Sequence, residues 1–557
     1  MTDEAAYGQG LSDNLSDGGV IGRVLRAVAG FYPLPAVSTA PLFVAGGVLG
    51  AMGDALLRDS NGPVNLNLSL WVASVAIAGV ALHRRAALTL DRERLAWLLI
   101  GVAFAAGLAW RDAPELKLLG LGCATLTFAL AAHRVTASWV RRAGVVRYAS
   151  ALALGALHAW TAASLTLIDA LFPTPRVESG RATSGDQGRA VRWRRAAAVA
   201  RGLLIAAPLL IVFGALFMSA DAVFAQLVSN VIRVDFARIA GHVVLFVLCA
   251  WLSIGYLRGF LTGTEPAFDG RHAMERSDVA AQKRVALGMT ETATALGAID
   301  LLFLLFVIVQ FGYFFGGNAL VQVTPGLTSA EYARRGFFEL VAASVLVVPV
   351  LLAADWLAER RDQRDVVVFR VLAGTQVGLV LAIAASALER LRLYYASFGL
   401  SDARFYAMVL LVWIGAMLLW LAATVLRGRR DAFAFGALAT GLTTVALLFV
   451  INPDAIVART NVARVTPAGG PVQFDAAYAS SLSADAVPPL IEALPALPTD
   501  LHCPIARRML RRWPPDRPRS LRSWNWSVER AADAVRAHEG ELRQMVGANQ
   551  RCDESRR

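Results

Sequence analysis

The chain has 557 residues, of which 56% are hydrophobic and 17% are charged, and its mean hydropathy is +0.52. This composition exceeds what a water-soluble core needs, and the apolar runs lack the alternation of barrel strands, so we predict an all-α polytopic transmembrane helical bundle of about 12 spans with a small helical C-terminal tail. The net charge of +12 comes mainly from arginines between the apolar runs, which favours the lipid bilayer and its anionic headgroups as partners and argues against nucleic acid.

Residues 1–35 form a polar, acidic lead-in without a positively charged start, so they do not resemble a cleaved signal peptide. The segment 36–172 then contains five apolar runs, most of them near the ~20 residues that a helix needs to cross a bilayer. The runs lie at about 36–57, 64–83, 95–110, 114–132 and 146–172. The last run stays disputed, because arginine-rich segments flank it on both sides and cannot both be cytoplasmic if it crosses.

A basic, turn-rich segment at 173–197 is predicted to be a cytoplasmic linker, and a core of seven further spans is predicted within 198–452. These apolar runs lie at about 198–218, 238–260, 288–315, 336–357, 366–388, 405–426 and 432–451. Alternate loops in this half are rich in arginine. The positive-inside bias therefore places those loops in the cytoplasm and the tail at 453–557 on the other side of the membrane.

Two polar residues interrupt the run at 288–315. Asp300 lies roughly 14 Å along its predicted helix, near the middle of the membrane. An ionised carboxylate at that depth costs on the order of several kcal/mol unless it is paired or hydrated. Asp300 is therefore either a functional group or the partner of a neighbouring Arg or Tyr, and the sequence leaves both interpretations open. Gln310 can hydrogen-bond across helices, either as packing support or as a ligand.

The next span begins with a charged series. Thr328 and Glu331 form the pattern of a capping box, which predicts a helix start at 328. Glu331, Arg335 and Glu339 then stand four residues apart on one face, so the arginine can pair with both carboxylates. With Asp300 and Gln310 they form our candidate polar site, although a surface ion-pair ladder explains the series equally well.

The tail contains two candidate helices, Leu501–Trp513 and Val528–Val546, and the second has an apolar stripe. If the tail lies in an oxidising space, Cys503 and Cys552 can form a disulfide that closes about 49 residues and stabilises the fold by ~4 kcal/mol. Two free thiols are the alternative.

Three segments resemble a known family: VQFGYFFGG at 309–317, TPGLTSAEYARRGFFELV at 324–341 and INPDAIVARTNVAR at 451–464. They are similar to an uncharacterised bacterial family of polytopic membrane proteins, domain of unknown function 4173, which is related to family 4153. The resemblance covers roughly 200–535. It implies a multi-span membrane protein and supplies neither an activity nor catalytic residues.

The sequence contains no phosphate-binding loop, dinucleotide fingerprint, zinc-ligand spacing or nucleophile motif. We therefore predict no catalytic residue, no cofactor and no metal site. The preferred hypothesis is a non-enzymatic protein for transport, sensing or envelope organisation, with Asp300 and the Glu331 series lining a polar route. The alternative is a membrane-embedded enzyme that acts on a lipid-linked substrate through carboxylates and Arg335.

Overall fold

The computed structural model describes residues 39–58, 64–88, 90–132, 236–262, 287–315, 337–465, 474–516 and 520–547, with scattered positions between 148 and 221. Ten helices in this part of the chain are long and apolar enough to cross a membrane, and none of the described residues forms a strand. The predicted all-α polytopic bundle is confirmed. The two other predicted spans, 146–172 and 198–218, lie outside the described residues apart from isolated positions.

The ten helices agree with ten predicted apolar runs. They are α1 (Thr39–Leu57), α2 (Leu66–Arg85), α3 (Arg92–Trp110), α4 (Pro114–Ala132), α5 (Phe236–Thr262), α6 (Met289–Phe315), α7 (Phe337–Leu357), α8 (Gln363–Phe398), α9 (Asp402–Thr424) and α10 (Arg430–Ile451).

The chain folds as two compact units, and the first comprises Met1–Asp59, Ser74–Leu90 and Leu154–Thr264. Here α1 packs against α5 through glycine. An added Cβ would lie 2.2 Å from Cγ1 of Ile254 at Gly46 and 2.9 Å from the backbone oxygen of Phe246 at Gly50, so the two glycines let the helices come this close.

The second unit comprises Ser60–Ala73, Asp91–Ala153 and Glu265–Arg557. Helices α3 and α4 form a tight hairpin in this unit, and the ring of Phe449 from α10 packs against both of them. An added Cβ would lie 2.6 Å from that ring at Gly107 and 2.7 Å at Gly120. Two glycines therefore form the notch that holds α10 against the hairpin.

Helices α6 to α10 bring their arginine-rich links to one end of the second unit. The Leu287 backbone N–H donates to Leu357 O at 3.1 Å, so α6 begins where α7 ends and α8 starts. The link between α9 and α10 is at the same end, because Val425 shares an apolar cluster with Leu351 and Phe369. The α3–α4 and α8–α9 links lie at the other end, together with the tail.

The tail is a small helical body at that other end. It consists of α11 (Pro453–Val465), α12 (Ala476–Ala479), α13 (Val487–Ala493), α14 (Thr499–Arg512), α15 (Trp526–Ala537) and α16 (Glu539–Gly547). Its core joins Leu490, Ile505 and Val535. The segment that we predicted as one helix from 528 to 546 is two helices, because the backbone at His538 leaves helical geometry. Both halves still direct their apolar stripe into the core.

Candidate functional site

Helix α6 places Asp300 on its buried face. Thr292, Leu296, Asp300 and Val307 recur at helical spacing and are all buried. The Asp300 side chain is 7% exposed, and neither carboxylate oxygen has a hydrogen-bond partner among the described residues. The partner that a purely structural role would need is therefore not found in this part of the chain.

Asp300 lies where two apolar clusters meet. Leu296, one turn before it, belongs to the cluster around Phe369 and Leu418. Val307, two turns after it, belongs to the cluster around Ile383. The ring of Phe303, one turn from Asp300, packs against both clusters. The carboxyl group is thus surrounded along its own helix by hydrocarbon.

Helix α8 supplies a second polar group of the same kind. Gln376 is 0% exposed, and neither its Oε1 nor its Nε2 has a hydrogen-bond partner among the described residues. Its neighbours on α8, Ala373, Val377 and Val380, are buried in the same cluster as Leu296. A buried amide without partners is rare in native proteins and calls for an explanation.

The two polar groups lie at similar depth. Helices α6 and α8 pack against each other and start at the same end, beside the hydrogen bond from Leu287 to Leu357, so they run parallel. Asp300 comes eleven residues after Met289 and Gln376 thirteen residues after Gln363. At 1.5 Å per residue these positions are about 16 Å and about 20 Å from the helix starts.

The chemistry of these two side chains is suited to binding a positive charge. A carboxylate supplies negative charge and acceptor oxygens, and a carboxamide supplies an acceptor and two donors. An ionised carboxylate in a membrane interior is stabilised when a proton or a cation neutralises it. No cluster of three or more His, Cys, Asp or Glu suited to a metal ion occurs within the described part of the chain.

A second polar network joins the tail to the α3–α4 hairpin. Arg111 Nη1 lies 3.3 Å from Asp485 Oδ1, and the backbone N–H of Asp112 donates to Asp485 Oδ2 at 2.7 Å. Lys117 Nζ lies 2.8 Å from Asp112 Oδ1. Ser527 donates its hydroxyl to Asp485 Oδ1 at 2.6 Å. The carboxylate of Asp485 is therefore held in one position by several donors, and the network fixes the tail to the hairpin.

The same joint includes Asn525 and Asp454. Asn525 donates through Nδ2 to the carbonyl oxygens of Leu108 at 3.0 Å and Arg111 at 2.9 Å, so it caps the end of α3. Asp454 Oδ2 accepts a hydrogen bond from the Ser483 backbone N–H at 3.0 Å. Burial raises the pKa of Asp454 to about 6, although the hydrogen bonds from Ser483 lower it.

Tyr478 makes a further joint between the tail and the start of α9. Its hydroxyl donates to Asp402 Oδ1 at 3.0 Å and accepts from the Asp402 backbone N–H at 2.7 Å. Burial raises the pKa of Tyr478 above its usual range, so the phenol remains a hydrogen-bond donor at neutral pH.

A family model described as a domain of unknown function, DUF4153, matches residues 96–493. This range covers more than half of the 557 residues. The chain belongs to the DUF4153 family. No curated protein and no solved structure matches it. The motifs that resemble family 4173 pointed to 4153 as a relative, and membership of 4173 itself stays a prediction.

The DUF4153 region begins inside α3 and ends with α13. It therefore contains Asp300, Gln376, Arg111 and Asp485, whereas the last three tail helices follow it. We expected the resemblance to start near residue 200, and all the motifs that suggested it lie at residue 309 or later. The α3–α4 hairpin has no such motif and is nevertheless part of the domain.

The other predicted site residues of this DUF4153 protein are only partly described. The backbone of Gln310 lies in α6, and its side chain is outside the described residues, as are Glu331 and Arg335 altogether. Glu339 is exposed in the first turn of α7. Its neighbour Leu340 packs in the cluster of Val307, so Glu339 lies nearer the C-terminal end of α6 than Asp300 does. The three-residue charged series stays a prediction.

Gln376 was not among the predicted site residues, although a glutamine inside the apolar run at 366–388 was a detectable signal.

Only one of the two cysteines in the predicted disulfide belongs to the described residues. Cys503 is buried in α14, and Cys552 lies outside the described residues, so their pairing stays a prediction. Cys123 and Cys249 are free cysteines in spanning helices.

Proposed function

We propose that this multi-pass membrane protein carries protons or small monovalent cations across the bilayer, and that Asp300 is the group that binds them. The observation that supports the proposal is the buried carboxyl group of Asp300, which has no hydrogen-bond partner among the described residues. A buried group of this kind lowers the stability of the fold. A role in binding a proton or cation explains its presence, and Gln376 at similar depth supplies a neutral ligand.

We also propose an orientation in the bacterial cytoplasmic membrane. The two arginine-rich links, ERRDQRD at 359–365 and RGRRD at 427–431, lie at the same end of the second unit. The positive-inside bias supports a cytoplasmic location for that end. The tail lies at the opposite end and is then extracytoplasmic.

The proposed transport is tested with purified full-length protein in liposomes that contain a pH-sensitive dye. A potassium gradient with valinomycin imposes a membrane potential, and the internal pH reports proton movement. A parallel set of liposomes with a sodium-sensitive dye tests sodium ions. We expect ion movement with the natural chain and none with Asp300→Asn, which keeps the size of the side chain and removes its charge.

Glu389→Gln is the matched control, because it also removes one carboxylate but at a position that pairs with Arg392 on the surface of α8. This variant should retain transport. Equal ion movement by the natural chain and Asp300→Asn would contradict the proposal, and so would movement no faster than in empty liposomes. The alternative of an enzyme for lipid-linked substrates uses carboxylates and Arg335, and Arg335 lies outside the described residues.

A further inference from the structure

An apolar groove runs between α2 and α3 at the tail end of the second unit. Its volume is about 420 Å³, which is within the range of small-ligand pockets. Leu66, Ser69, Leu70 and Ala73 form one wall, at helical spacing along α2. The other wall consists of Val102, Ala106, Ala109 and Trp110 of α3, and Trp524 and Trp526 of the tail complete the lining.

The tail is fixed to the end of this groove by backbone hydrogen bonds. The N–H of Leu66 donates to Trp524 O at 3.2 Å, and the N–H of Asn67 donates to Arg522 O at 3.2 Å. These bonds satisfy two of the N–H groups that the start of α2 leaves unpaired. The two indoles therefore lie at the end of a spanning helix, where the aromatic belt of a membrane protein is found.

The groove is shorter than the hydrocarbon thickness of one leaflet of the bilayer. From Leu66 to Ala73 the wall of α2 extends about 11 Å, and from Val102 to Trp110 the wall of α3 extends about 12 Å. Half of the hydrocarbon core measures about 15 Å. The groove thus starts at the interface, among the tryptophans, and ends inside the leaflet next to it.

The lining is mostly hydrocarbon and aromatic surface. Its one hydroxyl group, on Ser69, already donates to Ala105 O at 2.6 Å. Three of the wall residues are alanines, which leave room for a slender chain between the helices. Both walls belong to membrane-spanning helices, so the molecules that surround the groove are lipids.

The segment next to the indoles supplies features of a headgroup contact. Leu521 is 82% exposed although it is strongly apolar, and an exposed leucine beside two tryptophans is typical of a segment that dips into a membrane surface. Arg522 follows Leu521 directly, precedes both tryptophans in the chain, and is also exposed. A guanidinium group at this level can bind a phosphate through paired hydrogen bonds.

We propose that the groove binds one acyl chain of an anionic phospholipid, with the lipid phosphate next to Arg522. The chain would lie along Ala73 and Ala106, and its glycerol end would meet the indoles of Trp524 and Trp526. This binding site does not depend on the transport proposed for Asp300. With this site, the tail would bind lipid in addition to packing against the ends of the spanning helices.

The test uses phosphatidylglycerol with a photoreactive group in one acyl chain. Full-length protein in detergent is titrated with this lipid, irradiated and digested, and the labelled peptides are measured by mass spectrometry. We expect labelling of the peptides that contain Ala73 and Ala106 to saturate and to be competed by unlabelled phosphatidylglycerol. Labelling around Leu118, which is 72% exposed on α4, should rise in proportion to the lipid and serves as the reference for non-specific contact.

Two bulky variants test the groove directly. Ala106→Trp fills it and should reduce the labelling of the α2 wall to the level of the Leu118 reference. Leu118→Trp is the control at matched depth, since both positions are four residues from the α3–α4 link, and it should leave the labelling unchanged. Thermal unfolding verifies that both variants fold, and Ala73→Leu provides a second way to fill the groove if Ala106→Trp does not fold.

Three results would overturn the proposal. The first is labelling of the groove that never saturates. The second is labelling that neither groove-filling variant reduces. The third is a cross-link between two protein chains through the groove, which would make it an interface between copies. The headgroup contact is tested with Arg522→Gln, which should abolish the preference for phosphatidylglycerol over phosphatidylcholine, and an unchanged preference would contradict that contact.

Discussion

Arg111 and Asp485, which are 374 residues apart in the sequence, form an ion pair of 3.3 Å that fixes the tail to the α3–α4 hairpin. Both side chains are nearly inaccessible, at 11% and 1% exposure. Arg111 also donates through Nε to Phe449 O at 2.7 Å. One arginine therefore connects the hairpin, the end of α10 and the tail.

Asp485→Ala should destabilise the docked tail by about 3–5 kcal/mol, because it leaves the buried charge of Arg111 without its counter-charge. The measurement is thermal unfolding of the purified protein, combined with the rate of proteolysis within the tail. Asp533→Ala is the control, since its ion pair with Arg536 is exposed and contributes about 0–1 kcal/mol. Equal effects of the two substitutions would show that the tail does not depend on the buried pair.

Asp454 should make tail docking dependent on pH. Burial raises the pKa of Asp454 to about 6 in the folded protein, from an ordinary value of 3.8, so the folded state holds the proton more tightly. This difference contributes about 3 kcal/mol to the free energy of unfolding. The contribution is fully present below about pH 4 and is lost as the pH rises through 6.

This pH dependence is measured as the midpoint of tail unfolding between pH 4 and pH 8. Asp454→Asn should show a flatter profile than the natural chain and should be the more stable of the two at pH 8. If the natural chain instead gained stability relative to Asp454→Asn as the pH rises from 4 to 6, the pH dependence would have the opposite sign. That result would contradict the raised pKa of Asp454.

The disulfide predicted between Cys503 and Cys552 can be tested by alkylation. In protein purified without reductant and then denatured, we expect a maleimide reagent to modify Cys123 and Cys249 only. After reduction it should modify all four cysteines. Four modified cysteines before reduction would show that the tail thiols are free, which would also remove an argument for an oxidising location.

Reporter fusions test the proposed orientation. Alkaline phosphatase, which is active only outside the cytoplasm, should be active when fused after residue 557, and a fluorescent protein that folds only inside should not fluoresce there. Fusions after residues 172 and 195 then decide whether the run at 146–172 crosses. Fluorescence of the fusion at 557 would place the tail in the cytoplasm and reverse the orientation.

The number and position of most spanning helices could be predicted from hydrophobic length alone, because a bilayer demands about 20 apolar residues per helix. The runs at 114–132 and 432–451 illustrate this: they correspond to α4 at Pro114–Ala132 and α10 at Arg430–Ile451. The break at His538 left a signal in the sequence that the prediction did not use. His538, Glu539 and Gly540 interrupt the apolar stripe between Val535 and Leu542, and a polar interruption with a glycine is typical of a helix end.

The candidate site could be predicted only in part. Asp300 was identifiable because a carboxylate in a long apolar run is costly wherever the run packs. Whether a neighbouring Arg or Tyr pairs with it could not be decided from sequence, because that partner depends on which helices meet. The pairing of Arg111 with Asp485 was equally hidden, since it depends on how the tail docks rather than on sequence spacing.

The most direct test of a binding role for Asp300 is the thermal stability of Asp300→Val in detergent, with the natural chain and Leu296→Ala as references. Leu296 is fully buried one turn from Asp300, and its truncation should cost about 2–5 kcal/mol. Removal of a buried carboxyl group that has no structural partner should instead stabilise the protein, by about 1–3 kcal/mol. A higher unfolding midpoint for Asp300→Val is the predicted result. A midpoint lowered as far as that of Leu296→Ala would show that the carboxyl group is part of the packing and would contradict this account.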